Sequence, residues 1–202
     1  MHDFLKEQYE FSDYQIAQLK YLFKTVTAEV SKLLIMAFLF RNQLGIYFFA
    51  VTIMLLLRTS TGGLHCKTYW GCFAVSLGYM ILSVKILPLI TINKLFQMIL
   101  LFICMLINHY IGPVTSAVHA PLSSKVTKRV RIQAFLIIFF YLTLTYILPE
   151  SVYITAGFWV VILHTTQLIA AKILKKESKK ITSTARKIQE HANTATPAHH
   201  AV

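Results

Sequence analysis

Residues 62–72, Gly-Gly-Leu-His-Cys-Lys-Thr-Tyr-Trp-Gly-Cys, form a short polar, glycine-containing stretch between two long apolar runs. We call this stretch the island. It contains His65, Cys66 and Cys72, and the chain has only three cysteines in total. An imidazole beside a thiol can accept the thiol proton, and the resulting thiolate is a nucleophile at neutral pH. The island is therefore the candidate catalytic site of a membrane-embedded enzyme.

The composition of the chain points to lipid as its main solvent. Of 202 residues, 56% are hydrophobic and only 14% are charged, whereas about a quarter are charged in soluble proteins. The fold class we predict is all-α: a polytopic membrane protein with about five to six membrane-embedded helical segments. An N-terminal amphipathic helix and a glycine-broken catalytic loop complete this prediction.

The net charge of +12 has a topological explanation. Basic residues lie between and after the apolar runs, as expected for loops on the cytoplasmic side of a membrane. Aromatic residues lie mostly inside those runs, where they offer no platform for stacked bases. We therefore expect a lipid bilayer, and no nucleic acid, as a partner.

The first segment, residues 1–32, is predicted to carry an amphipathic helix in the membrane interface. Over residues 12–32, apolar side chains recur with a helical period and lysines occupy other positions. The apolar positions are Ile16, Leu19, Phe23, Val26 and Val30. An ordinary amphipathic helix packed on the rest of the domain fits the same pattern.

The membrane-embedded domain is predicted over residues 33–175. Residues 33–57 are apolar except at Arg41-Asn42-Gln43, which favours either two short helices broken near Arg41 and Gly45 or one helix whose arginine is held in the protein interior. Four clearer spans follow, each of near-spanning length: 73–92, 95–112, 134–149 and 152–171.

The orientation of the spans follows from the basic segments. We place the loop 113–133 and the basic tail in the cytoplasm, which puts the island on the same side and the turns at Asn93 and Glu150 outside. A cytoplasmic N-terminus requires residues 33–57 to enter and return; the alternative is one crossing and an external N-terminus. Residues 176–202 are predicted to be a flexible tail without a catalytic role.

The spacing of the island constrains its geometry. In one continuous helix the Cα atoms of His65 and Cys72 would be about 10 Å apart, whereas catalysis requires the side chains within about 3–4 Å. The backbone must therefore fold back or break, which Gly62, Gly63 and Gly71 permit. Cys66 is the poorer partner because adjacent side chains point apart, although spacing alone leaves the nucleophile open.

Two other interpretations of the island remain. The cysteines can be small apolar fillers beside an interfacial histidine. His65, Cys66 and Cys72 can also supply three zinc ligands, but structural zinc sites use four and the Cys-x-x-Cys pair is missing. We predict no cofactor and no bound metal.

The pattern of Arg58, Gly62-Gly63-x-His65 and Cys72 resembles the motif of the AgrB family, quorum-sensing peptide endopeptidases that are membrane cysteine proteases of Gram-positive bacteria. The similarity extends to Gly112-Pro113-Val114, to Pro121-Leu122-Ser123 and to the basic pair Lys128-Arg129. Chain length and hydropathy also agree, so the resemblance covers about residues 30–175.

This resemblance implies a function and a set of roles. Cys72 becomes the nucleophile and His65 its base or ion-pair partner, with Arg58, Gly62 and Gly63 as supporting residues. The substrate is a small amphipathic precursor peptide, whose C-terminal part is removed through a thioester that a substrate thiol can close into a thiolactone. The family implies a homodimer, and a multi-pass enzyme of the bacterial cell membrane with its active site on the cytoplasmic side.

Other residues have two interpretations each. Lys85, inside a span, either binds substrate or extends to the nearer surface. The basic residues Lys125, Lys128, Arg129 and Arg131 either attract an acidic peptide tail or set the topology. His109 and His164 are predicted to be helix-packing or interfacial groups. A non-catalytic peptide exporter or membrane chaperone is the rival function.

Overall fold

The computed structural model describes residues 12–62, 68–114 and 123–195, and nearly all of them are helical. The described helices are α1 (Asp13–Leu39), α2 (Leu44–Thr61), α3 (Tyr69–Ile81), α4 (Lys94–Ile111), α5 (Ser124–Ile147) and α6 (Val152–Ala195). A π-helical turn, Leu82–Ile86, and a 3₁₀ turn, Leu87–Leu89, extend α3. The predicted all-α class is confirmed.

Within the described residues, five helical segments are long and apolar enough to cross a membrane: Arg41–Thr61, Tyr69–Leu89, Lys94–Ile111, Ser124–Ile147 and Val152–Glu177. The fourth begins ten positions before the predicted span at residue 134. Hydropathy ends a span where basic residues begin, but lysine and arginine are good helix formers. The basic residues of α5 therefore continue the helix beyond its apolar part.

Helix α1 begins with a capping box and presents apolar side chains outward. The Ser12 hydroxyl accepts a hydrogen bond from the Gln15 N–H, and the Gln15 side chain accepts one from the Ser12 N–H. Four of the five predicted apolar-face residues are exposed: Leu19, Phe23, Val26 and Val30. This exposure favours an interfacial helix over one packed on the domain. The helix continues without a break through residues 32 and 33, the predicted domain boundary.

The chain breaks between α1 and α2, at the 3₁₀ turn Arg41–Gln43. Phe40 stacks on Tyr47 with ring centroids 5.4 Å apart, and the Tyr47 hydroxyl donates to the Leu33 carbonyl at 3.0 Å. These contacts hold α1 and α2 as a hairpin and confirm the break near Arg41. Arg41 itself is exposed, so the alternative of an arginine held in the interior is wrong.

Helix α6 lies at the centre of the bundle. Its buried side chains include Phe158, Val160 and Val161. A Cβ added at Gly157 would lie 2.8 Å from Ile53 Cδ1, so the missing side chain lets α2 and α6 approach closely. Small residues serve this purpose widely between membrane helices.

Two glycines end α2 and α4 at the same end of the bundle. Gly62 has φ 78° and Gly112 has φ 66°, a region that favours glycine. The Val114 N–H donates to the Thr61 carbonyl at 3.0 Å, so the chain after α4 pairs with the chain after α2. Gly62 and Val114, where the chain leaves α2 and α4, therefore lie side by side at one end of the bundle, as the alternating spans predict.

Candidate active site

Cys72 lies in the first turn of α3 and is 8% exposed. Thr68 caps this helix, because its hydroxyl accepts the Gly71 N–H at 3.2 Å and its carbonyl accepts the Cys72 N–H at 3.1 Å. The predicted break in the island is confirmed, since α2 ends at Thr61 and α3 begins at Tyr69. Gly71 lies inside the helix, so its predicted role in the break is wrong.

The other chemical groups of the island, His65 and Cys66, lie outside the described residues, and so does Gly63. The His65–Cys72 pair, the competing role of Cys66 and the zinc interpretation therefore stay predictions. The structure does describe the residues that surround Cys72.

Cys72 and Arg58 line one small cavity. Its volume is ≈ 10 Å³, about the room needed for one water molecule. The two motif residues come from the end of α2 and the start of α3, fourteen positions apart in the chain. The remaining lining residues are Met54, Val75, Ser76, Tyr79, His164 and Gln167.

Lys32 of α1 lies beside Cys72, although the sequence assigned it only to the polar positions of an amphipathic helix. Its side chain is buried, at 4% exposure, and its Nζ donates to Glu29 at 2.8 Å. The same Nζ lies 5.2 Å from the centroid of the Tyr69 ring. Burial alone would lower the pKa of Lys32, but the hydrogen bond to Glu29 and the charge interaction with Cys72 raise it above its ordinary value. Lys32 is therefore a cation next to the candidate nucleophile.

One sequence signal could have identified Lys32. Lys32, Met36 and Phe40 recur at intervals of four, which places them on one face of a helix, and all three are buried. Lys32 is thus the first of three buried residues on one face of the chain near the end of α1.

His164 of α6 reaches the cavity from the other side. Its Nε2 lies 2.6 Å from the Thr61 hydroxyl oxygen, and that hydroxyl donates to the Leu57 carbonyl at 2.9 Å. The Thr61 hydroxyl has one proton to donate, so it serves either the Leu57 carbonyl or Nε2, and in both cases it links His164 to the end of α2. The predicted packing role of His164 is confirmed, but its place in the cavity was missed.

Lys85 is not brought to this cavity. It is exposed, its Nζ lies 5.1 Å from the centroid of the Phe40 ring, and it is thirteen residues beyond Cys72, or about 20 Å along a helix. The cation–π contact with Phe40 holds the Lys85 side chain on the outer side of the helix.

The basic residues of α5 divide into two groups. Lys125, Lys128 and Arg129 are exposed. Arg131 is half-buried, and its guanidinium fills the space where a Cβ at Gly112 would stand. Arg131 thus packs against the end of α4, whereas the other three are open to a partner.

Known proteins match most of this chain. The family model described as "Accessory gene regulator B" matches residues 1–168. An AgrB-like protein of Clostridium beijerinckii is 25% identical over 139 residues, which cover 66% of this chain and 67% of that protein. No solved structure matches the chain. The family match includes the whole of α1, most of which lies before the region of predicted resemblance, and every cavity residue named above.

Proposed function

Because the chain belongs to the accessory gene regulator B (AgrB) family, a quorum-sensing family known for peptide processing, we propose that it is a membrane cysteine endopeptidase. In this proposal the enzyme removes the C-terminal part of a small precursor peptide. One observation carries it: Arg58 and Cys72, motif residues on two different helices, line the same cavity. His65 belongs to the segment that connects those helices.

The proposed reaction begins at the Cys72 thiol, which gives its proton to the His65 imidazole. The sulfur attacks the scissile carbonyl carbon, a C–S bond forms, and the C–N bond breaks. The leaving amine takes the proton from His65, so that the C-terminal fragment departs with a free amino group. Arg58 lies where its charge can stabilise negative charge on the carbonyl oxygen.

The acyl group then leaves Cys72 in a second exchange. A thiol of the bound peptide gives its proton to His65 and its sulfur attacks the thioester carbonyl. The new C–S bond closes a thiolactone, the bond to Cys72 breaks, and His65 returns the proton to the Cys72 sulfur. Water competes for the same carbon. Cyclisation is favoured over hydrolysis where water is kept from the thioester, which a site at the membrane boundary can do.

The proposed site faces the cytoplasm. The chain leaves α2 at Gly62 beside Val114, which follows α4. The start of α5 and the end of α6, which the alternating spans place at the same end, are rich in Lys and Arg, and this supports the orientation. The exposed apolar side chains of α1 support contact with the same bilayer surface, where an amphipathic peptide is concentrated. Exposed Lys125, Lys128 and Arg129 are proposed to contact an acidic part of that peptide. By family resemblance we propose a homodimer.

The test is cleavage of a precursor encoded by a neighbouring small reading frame and co-expressed with the full chain. Cys72→Ala is expected to abolish cleavage while membrane insertion is unchanged, because the acyl acceptor is lost. Cys66→Ala is the matched control and is expected to keep substantial activity. A processed peptide from the Cys72→Ala protein would refute the proposal.

The same experiment separates the rival functions. If Cys66→Ala abolishes cleavage and Cys72→Ala does not, Cys66 is the nucleophile. An exporter or chaperone predicts equal processing by both variants and reduced release of peptide. A structural zinc protein predicts stoichiometric zinc in purified material.

A further inference from the structure

Lys32 carries a charge, and yet its side chain is buried. Among the residues whose side chains are described, it is the only Lys, Arg, Asp or Glu that is buried. Taking an ammonium out of water is unfavourable unless it is paired. Its carboxylate partner, Glu29, is 52% exposed, and a pair of this kind forms equally well at the surface. The salt bridge alone therefore does not explain why Lys32 points inward.

The Lys32 side chain points towards the first turn of α3, which carries Cys72. The Lys32 ammonium lies over the Tyr69 ring, and the neighbouring Ser31 hydroxyl lies 2.9 Å from the Tyr69 hydroxyl. Tyr69 and Cys72 are three positions apart on α3, so they share one face. The Lys32 ammonium therefore lies over the ring that stands one helical turn before Cys72.

The groups around Cys72 come from four helices. Glu29 and Lys32 belong to α1, Arg58 to α2, Tyr69 and Tyr79 to α3, and His164 to α6. Two of them carry a permanent positive charge and one carries a negative charge. The carboxylate is the most exposed of the three, so its field is the most screened by water.

We propose that Lys32 is a positioning residue that stabilises the Cys72 thiolate formed when the thiol loses its proton, and that α1 delivers this counter-ion to the active site. The role in cleavage rests on the proposed function, but the state of the thiol can be measured without any substrate. A cation beside a cysteine favours its reactive anion. The amphipathic helix is then a component of the active site as well as a membrane contact.

The experiment measures the alkylation rate of Cys72 by iodoacetamide against pH in the full-length protein, with each cysteine resolved by mass spectrometry. Lys32→Met, which keeps the length of the side chain without the charge, is expected to move the midpoint of the profile to higher pH. A shift of one unit slows alkylation at neutral pH about tenfold. Lys32→Arg should restore the profile. Lys24→Met, an exposed lysine two turns earlier on α1, is the control and should leave it unchanged.

The plateau at high pH separates a positioning role from a structural one. If Lys32 only stabilises the thiolate, the Lys32→Met protein reaches the wild-type rate once pH has removed the thiol proton. A changed plateau with an unchanged midpoint would mean that Lys32 shapes access to Cys72, and would overturn the proposal. An unchanged profile would also overturn it.

Precursor cleavage supplies the second measurement. Lys32→Met is expected to slow cleavage at neutral pH by the same factor as alkylation, and to recover at higher pH. If the wild-type chain cleaves no precursor, the proposed function fails, while the alkylation profiles still decide the role of Lys32.

Discussion

The imidazole Nε2 of His164 lies 2.6 Å from the hydroxyl oxygen of Thr61, and this contact joins the last residue of α2 to the central helix. Both side chains are buried. Thr61 directly precedes the island, so the point where this candidate segment begins is held by a residue 103 positions later in the chain.

Replacing Thr61 by Val tests this contact. The substitution keeps the shape of the side chain but removes the hydroxyl, and leaves the buried imidazole Nε2 without its hydrogen-bond partner. The expected loss is about 1–3 kcal/mol of stability, measured as thermal unfolding of the full chain in lipid or detergent. Thr61→Ser keeps the hydroxyl and should remain close to the wild type. Equal stability of the Val and Ser variants would show that the bond contributes little.

Gly62→Ala is expected to destabilise the end of α2. A left-handed φ costs an L-residue about 1–2 kcal/mol, and the added Cβ would also lie 2.7 Å from the Val114 carbonyl oxygen. Gly78→Ala is the matched control, because a Cβ added at this position of α3 would have no atom within 4 Å and alanine is preferred in helices by roughly 0.5–1 kcal/mol. Unfolding midpoints should therefore move in opposite directions. A neutral Gly62→Ala would argue against the pairing with Val114.

The docking of α1 is expected to depend on pH only in the alkaline range. The pKa of Lys32 is raised in the folded protein, so its stabilising contribution is complete below the ordinary lysine value of about 10.5 and is lost as pH rises through the folded value. Limited proteolysis of α1 should thus be constant from neutral pH to about pH 9, where lysine stays charged, and increase at higher pH. In the Lys32→Met protein this alkaline increase should be absent.

Lys85 is expected to be dispensable for cleavage. Its side chain lies on Phe40, away from the Cys72 cavity, so Lys85→Met should leave the rate of precursor cleavage unchanged and lower thermal stability slightly through the lost cation–π contact. Loss of cleavage in a correctly inserted Lys85→Met protein would restore the substrate-binding interpretation.

The predicted orientation can be measured with single introduced cysteines. Glu150→Cys should react with a membrane-impermeant thiol reagent in intact cells, because the turn before α6 is expected outside. Lys125→Cys, exposed at the start of α5, should react only after permeabilisation. The wild-type chain, with its own three cysteines, gives the background. The reverse pattern would place the island outside.

The sequence predicted the helices better than it predicted their contacts. Apolar runs of spanning length and a polar break near Arg41 are local properties, and the bundle follows them. The end of α2 at Gly62 was also predictable, because glycine at a helix end has a local physical reason. The start of α5 could not be predicted in this way. Hydropathy shows which residues prefer lipid, whereas the basic turns at the start of α5 are polar and still helical.

From the sequence, only the site residues that lie close together in the chain could be predicted. Arg58 and Cys72 belong to one short motif, and the structure places both at one cavity. His164 reaches that cavity from α6, and Lys32 of α1 lies over the Tyr69 ring of the same helix turn as Cys72. No spacing rule within the island contains these contacts. Nothing in the local sequence around His164 distinguishes a residue that packs two helices from one that also lines a site.

The hydrogen bond between Val114 and Thr61 also bears on the size of substrate that the proposed enzyme needs. Since the island and the loop before α5 start from one point, a peptide can touch both without crossing the face of the bundle. A few extended residues, at about 3.3 Å each, are enough to bridge neighbouring segments. For the proposed enzyme, a short linear peptide would therefore be long enough to contact both segments.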